Sequence, residues 1–240
     1  MASETQIQQR PFPPVEAWPP DDTEESILGT DLHQTTITNL RWGINEAARL
    51  NRQPGQPVPW KALSQIALLG CVRPDGSAYR TYPDVFVYPR FIEPDRGALT
   101  LAVDGPPVLI IEVLSESTYE VDVDLVRGKG YSYARAGVPE YLALDPTGAF
   151  LPGHGQAWRL VDGVYRSWEP DAAGRWQSAE IGVAIGLEGT LATVYTREGK
   201  RLLHEGEVEE ELARRDETIT RQAAEIEELR RQLWELRGKQ

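Results

Sequence analysis

Two acidic residues stand where a folding chain resists placing them. The segment from Val108 to Leu114 reads VLIIEVL, apolar throughout except for Glu112. An apolar run of this length marks a strand buried on both faces at the centre of a sheet. An ionised carboxylate in such a strand is costly unless something neutralises it. Asp84 opens the segment DVFVY directly after Pro83, where a strand enters a sheet. If the two strands are neighbours their carboxylates converge, and one must take up a proton or both must share a cation. Oxygen donors with room for water suit Mg²⁺ or Mn²⁺ rather than zinc. On these residues alone a second reading of Glu112 stays open, as the partner of a buried Arg or an acceptor of backbone hydrogen bonds.

The elements that must position these residues follow from apolar spacing. Between Asp31 and Leu50, Ile37, Leu40, Ile44, Ala47 and Ala48 recur at helical intervals, with Asp31 as the expected N-cap and Pro54–Gly55 beyond the end. A strand is expected over 65–70, a Pro-Asp-Gly turn in RPDGSAYR, and a strand in YPDVFVYP. Residues 90–105 read as an irregular polar loop. One helix is expected from Asp122 to Ala136, ended by Gly137 as a left-handed cap, and EYLALDP reads as a further core strand. A strand, a crossover helix and another strand imply a parallel pair with a helix on one face. AWRLV and VYRSW flank Asp162–Gly163, a strong two-residue hairpin signal. LATVY and KRLL, separated by TREG, suggest another hairpin.

The succession YPDVFV, PPVLIIEVLSEST and GKGYSYARAGVPEYLALDP resembles a large bacterial family of proposed restriction endonucleases known as Uma-two, in the PD-(D/E)XK nuclease superfamily. The likeness runs from about Asp31 to Leu203. It implies an α/β fold: a restriction-endonuclease-like mixed sheet, centrally parallel, with flanking helices and added β-hairpins. It also implies that Asp84 and Glu112 bind Mg²⁺ or Mn²⁺, with the Val113 carbonyl as a further ligand. The superfamily's usual lysine, two residues past the second acid, is replaced here by Leu114. The resemblance places that lysine on the following helix, at Lys129, where its ammonium would orient water or offset phosphate charge. Taken alone, Lys129 would be an ordinary solvated helix lysine, silent on removal; as a residue of the site, its removal would leave the fold and metal binding nearly intact and end any nuclease activity. Gly128 and Gly130 beside it cost the helix about 1 kcal/mol each; they either bring backbone close to a ligand or are simply tolerated.

The activity implied is metal-dependent hydrolysis of phosphodiester bonds in nucleic acid, DNA first. Two alternatives accompany it: a degenerate domain of the same fold that binds DNA or protein without cutting, and a metal-free two-carboxylate hydrolase acting on sugars. Other residues carry blander expectations. Ser115, Ser117 and Thr118 could bind phosphate but more often cap the next element. His33 could face the site, with a surface position as the default. His154 and His204 lack metal-ligand spacing. Trp158, Trp168 and Trp176 could stack on bases, with sheet packing the simpler role, and Asp145 before Pro146 is a turn residue.

Charge divides unevenly along the 240 residues. The net charge is −12, but residues 1–32 hold 7 acids and 1 base and residues 205–240 hold 11 acids and 7 bases. Between them 19 acids face 17 bases, a balance that neither announces nor excludes a polyanion partner. The single cysteine, Cys71, excludes an intrachain disulfide and a cysteine-rich zinc module. No apolar run reaches the ~18 residues of a membrane span and no signal peptide is recognised, so a cytoplasmic location is expected. Three segments are expected: an acidic, Pro-rich disordered leader over 1–30, the nuclease-like domain over 31–203, and a coiled-coil helix over 204–240. In the last, Leu212, Ile219, Ile226 and Leu233 recur every seven residues, and Leu229 and Leu236 fall three after the last two. These are a and d positions of a heptad, with Arg215 and Gln222 at the earlier d positions. They imply a homodimer through a two-stranded coiled coil, of either strand orientation.

Overall fold

The apolar runs LIIEV and EYLAL lie side by side in parallel at the middle of a six-stranded sheet. In the computed structural model the described residues are 30–90, 92–93 and 96–237; of the expected leader, all but Thr30 lies outside them. The chain divides into two compact units, Met1–Leu202 and Leu203–Gln240. The first contains α1 (Asp31–Leu50), β1 (Lys61–Leu63), β2 (Ala67–Val72), β3 (Ala78–Thr81), β4 (Val85–Tyr88), β5 (Ala98–Thr100), α2 (Leu101–Asp104) and β6 (Leu109–Val113). It continues with α3 (Tyr119–Val123), α4 (Lys129–Ala136), β7 (Glu140–Leu144), β8 (Gly155–Val161), β9 (Val164–Ser167), β10 (Trp176–Gln177), β11 (Ala184–Glu188) and β12 (Leu191–Tyr195). The second unit holds the single helix α5 (Glu205–Arg237).

The large sheet has the order β1-β4-β6-β7-β8-β9. Only β6 and β7 run parallel in it, and α3 with α4 forms the crossover that a parallel pair requires. Both strands are buried at all five residues. Side chains alternate between the two faces. Leu109, Ile111 and Val113 join Ile37, Leu40 and Ile44 of α1 and Val194 of β12 in one core, whereas Ile110 and Leu114 join Tyr133 of α4 and Tyr141 in the other. Glu112 shares the parity of Ile110, so its carboxylate belongs to the α4 face. Two three-stranded sheets, β3-β2-β5 and β10-β11-β12, complete the unit. The hairpin at Asp162–Gly163 forms with both residues at positive φ, 51° and 77°, as a primed two-residue turn demands.

Several expectations are corrected. Thr30, not Asp31, caps α1, its hydroxyl accepting from the His33 amide at 3.3 Å. The segment expected to be an irregular loop carries β5, paired in parallel with β2, and the short α2. The expected helix over 122–136 is broken, because the chain leaves helix after Val123 and re-enters at Lys129. The second half does end at Gly137, at φ 81°. The expected strand KRLL reduces to one bridge between Tyr195 and Arg201, with the turn closed by Thr196 N–H to the Lys200 carbonyl at 2.9 Å.

Candidate active site

Antiparallel register brings the two acids together. Val85 pairs with Ile111 and Phe86 with Ile110, so Asp84, one residue before β4, falls opposite Glu112. The Asp84 amide approaches Glu112 Oε2 at 3.4 Å, and Asp84 Oδ2 accepts from the Val113 amide at 2.8 Å. The peptide groups of the strand ends thus fix both carboxylates relative to each other and turn the Val113 carbonyl toward the same place. Glu112 is 1% exposed.

The first turn of α4 supplies the positive charge. Lys129 Nζ lies 3.3 Å from Glu112 Oε2 and 3.1 Å from Asp122 Oδ1. Its side chain is only 7% exposed, so the surface-lysine alternative fails. Glycine makes this burial possible. A Cβ on Gly128 would stand 2.0 Å from the Val121 carbonyl oxygen, and one on Gly130 would stand 2.5 Å from Leu125 Cδ2. The segment from α3 folds back against the start of α4 at a distance only glycine permits, and that fold-back carries Asp122 over the lysine. Tyr133, one turn beyond Lys129 on the same helix face, donates its hydroxyl to Glu112 Oε1 at 2.5 Å and lies 3.1 Å from Thr81 Oγ1.

His33 closes the cluster from α1, contrary to the surface default. Its Nε2 lies 3.0 Å from the Val113 carbonyl oxygen and 3.4 Å from Asp84 Oδ2. A carbonyl oxygen only accepts, so Nε2 carries the hydrogen. Nδ1 is buried and has no hydrogen-bond partner among the described residues.

The electrostatics follow from burial. Loss of water pushes Glu112 well above the ordinary carboxylate range; Lys129 opposes the shift, and the neighbouring Asp122 and Asp84 reinforce it. Asp122 is raised for the same first reason, again against the pull of Lys129. Burial works against a charged imidazole at His33, but Asp84 and the Val113 carbonyl outweigh it and raise its pKa.

The structure therefore gathers Asp84, Glu112, Lys129 and the Val113 carbonyl in one place and adds Asp122, Tyr133 and His33. Tyr133 had a readable signal, four residues after Lys129. Asp122 had none, because it reaches the cluster through tertiary packing; His33, weighed as a residue that could face the site, does face it. The blander residues keep structural roles. Ser115 Oγ sits 2.9 Å from Thr118 Oγ1 and 3.2 Å from Ser117 Oγ in the turn before α3. Trp158 stacks on Tyr141, Trp168 lies under the Arg159 guanidinium and Trp176 is buried. Asp145 accepts the amides of Gly148, Phe150 and Leu151 in its turn. His154 Nδ1 meets the Asp145 carbonyl, and His204 lies beside Glu207 at the start of α5. The buried Cys71 thiol, pushed up to about 12 by desolvation, offers no nucleophile.

Residues 25–194 match the model of the family described as Uma2, putative restriction endonuclease. The chain belongs to this family. The match takes in every residue of the cluster and ends before α5. No curated protein matches the chain. The mixed sheet, its flanking helices and the C-terminal helix make this Uma2 protein an α/β protein of restriction-endonuclease-like fold.

Among the described residues no three His, Cys, Asp or Glu side chains group as a ready metal cage. The donors that do converge are two carboxylates and one carbonyl. That set is too hard and too sparse for zinc, but it fits a cation that keeps several waters and takes phosphate oxygens, as Mg²⁺ does. The N–H of His33 now points at two of those oxygens.

Proposed function

We propose that this Uma2 protein is a metal-dependent endonuclease that hydrolyses phosphodiester bonds of nucleic acid, with DNA as the first substrate to test. One observation carries the reading: a carboxylate buried in the central strand faces a second carboxylate by register, with a buried lysine 3.3 Å away. A structural pairing needs only one partner for Glu112, whereas this arrangement spends two acids, a carbonyl and a lysine on one small volume.

In this reading Asp84, Glu112 and the Val113 carbonyl hold Mg²⁺ or Mn²⁺. The cation, when bound, lowers the pKa of water and polarises the phosphoryl oxygen. The chain's own residues prepare that chemistry. Tyr133 holds Glu112 Oε1, which leaves Oε2 turned toward Asp84 and Lys129. Asp122, 3.1 Å from the ammonium of Lys129, helps hold it beside Glu112, so that a positive charge stands near the phosphoryl group as it gains negative charge. The placement requires no rearrangement of the lysine during reaction, which is the source of its advantage.

Two further parts belong to the reading. A cytoplasmic location is supported by a free buried cysteine and by the lack, among the described residues, of a helix long and apolar enough to cross a membrane. Association of two copies through α5 is supported by its exposed apolar stripe.

The test is cleavage of plasmid and short duplex DNA with Mg²⁺ or Mn²⁺, against EDTA, for the parent, Asp84→Asn and Glu112→Gln. Metal-dependent cleavage lost in both variants is expected, with Mn²⁺ raising the parent's melting temperature and neither variant's. Absence of both cleavage and a Mn²⁺ shift would overturn the proposal. A Mn²⁺ shift without cleavage of DNA or RNA would leave a binding domain of the same fold.

A further inference from the structure

We infer that α5 pairs in parallel and in register with the α5 of a second copy of this chain, so that Glu225 of each copy meets Arg230 of the partner subunit. The inference deepens the association proposed above and does not depend on the nuclease chemistry.

Three observations on α5 lead there. The helix runs 33 residues, Glu205–Arg237, about 50 Å at 1.5 Å per residue, and its heptad apolar residues face water. Leu212, Ile219, Ile226 and Leu229 are each at least half exposed. A row of large aliphatic side chains at seven-residue intervals is the seam of a coiled coil left without its partner.

The second observation is how charges pair within the single helix. On the outer face Glu228 binds Arg231, and in the first heptad Glu211 binds Arg214 and Arg215. Glu225 and Arg230 are different: among the described residues neither has an ion pair or side-chain hydrogen bond. In the heptad set by Ile219 and Ile226 at a, Glu225 occupies g and Arg230 the following e. In a parallel pair, g of one helix faces the next e of the other. Of the described charged residues at e and g beside the strong part of the seam, Glu225 and Arg230 are the two without an ion pair, and a parallel partner would satisfy both, twice by symmetry.

The third observation concerns the layers. In a parallel, in-register pair each a or d residue meets its own copy, so Gln222 meets glutamine and positions 226, 229, 233 and 236 make four successive apolar layers. In an antiparallel pair that overlaps the heptads over 212–236 a meets d, which sets Ile226 against Gln222 and position 233 against Arg215, and brings Glu225 to Glu225. The like charges at Glu211 and Asp216 oppose parallel pairing in the first heptad. There Arg214 and Arg215 already neutralise Glu211, and the seam is weakest.

Full-length Ile219→Cys and Leu229→Cys, oxidised or treated with a short bis-maleimide, test the geometry. Cys71 is buried, so the parent is the uncrosslinked control. Both variants should give covalent dimers, because only a parallel, in-register pair brings two sites ten residues apart each onto its own copy. A dimer by light scattering at micromolar concentration in which one or neither variant crosslinks would overturn the parallel arrangement. A monomer would overturn the association itself and leave the nuclease reading untouched. Charge exchange is the second measurement. Glu225→Arg should weaken dimerisation several-fold, and Glu225→Arg with Arg230→Glu should restore it; failure to restore would also overturn the arrangement.

Discussion

Replacing Lys129 with methionine keeps the length of the side chain and removes the charge that lies between two buried carboxylates. In the parent, Nζ is 3.3 Å from Glu112 and 3.1 Å from Asp122, and both acids are 1% exposed. Breaking a buried ion pair by removing one partner costs about 3–5 kcal/mol. For a domain of this size each kcal/mol moves the melting temperature by about 2–4 °C, so a fall of about 6–20 °C is expected near neutral pH. The stranded carboxyls recover part of the loss by taking up protons. Both already have folded pKa values raised above the ordinary range by burial, and removing the lysine raises them further. For an acid of this kind the folded chain holds the proton more tightly, so its stability is fully present below about pH 4 and is lost as pH rises through the folded value. The deficit of Lys129→Met should therefore be small at pH 4–5 and grow toward pH 8. Adding Asp122→Asn should return part of the stability, because a single carboxylate is then stranded. Urea midpoints across pH 4–8 for the parent, both single variants and the double give the answer. A Lys129→Met midpoint equal to the parent's at pH 7.5, or a loss independent of pH, would refute the buried triad.

Three further outcomes follow from the same geometry. Gly128→Ala should destabilise by about 1–3 kcal/mol, since its Cβ would meet the Val121 carbonyl at 2.0 Å, whereas Gly97→Ala, with open space around it, should stay within about 0.5 kcal/mol; equal melting temperatures for the two would contradict the close approach. His33→Ala should tighten Mn²⁺ binding several-fold in a calorimetric titration, because the N–H now directed at Val113 O and Asp84 Oδ2 no longer competes for those oxygens; weaker binding would instead make the ring a ligand. Asp104 is held at about 2, chiefly by Arg96, with the Thr100 amide and Arg90 adding to it against the cost of burial. A depressed acid adds stability above its unfolded value that is lost as pH falls through the folded one, so the urea midpoint should drop between about pH 4 and 2, and Asp104→Asn should flatten that limb.

The fold was readable where one side chain violates the expectation for its neighbourhood. A lone Glu in an apolar run identifies β6 as central and Glu112 as compensated. Alternation then fixes its face once β6 is flanked. The break between α3 and α4 was hidden, because the apolar spacing over 122–136 continues through it. Gly128 and Gly130 read as weak helix formers, whereas their real constraint is the backbone and side chain packed against them. β5 and α2 were hidden for another reason. They are three and four residues long, and their order comes from pairing with β2 and from Asp104, which binds Arg90, Arg96 and the Thr100 amide. Local propensity carries no trace of either.

The candidate site shows the same division between what is local and what is not. Asp84 and Glu112 are adjacent through a register that a strand pattern can suggest, and the family resemblance placed Lys129 beside them. Asp122 and His33 come from outside the sheet, His33 from 80 residues before the carbonyl it touches. Their presence changes what an inactive variant means. Because Lys129 neutralises a buried pair as well as facing the site, loss of cleavage in any Lys129 variant mixes chemistry with stability. Asp84→Asn and Glu112→Gln preserve shape and remove a negative charge that burial already disfavours at Glu112. At Glu112 the uncharged variant still leaves Lys129 its partner Asp122, so a loss of cleavage there is read beside the variant's own urea midpoint.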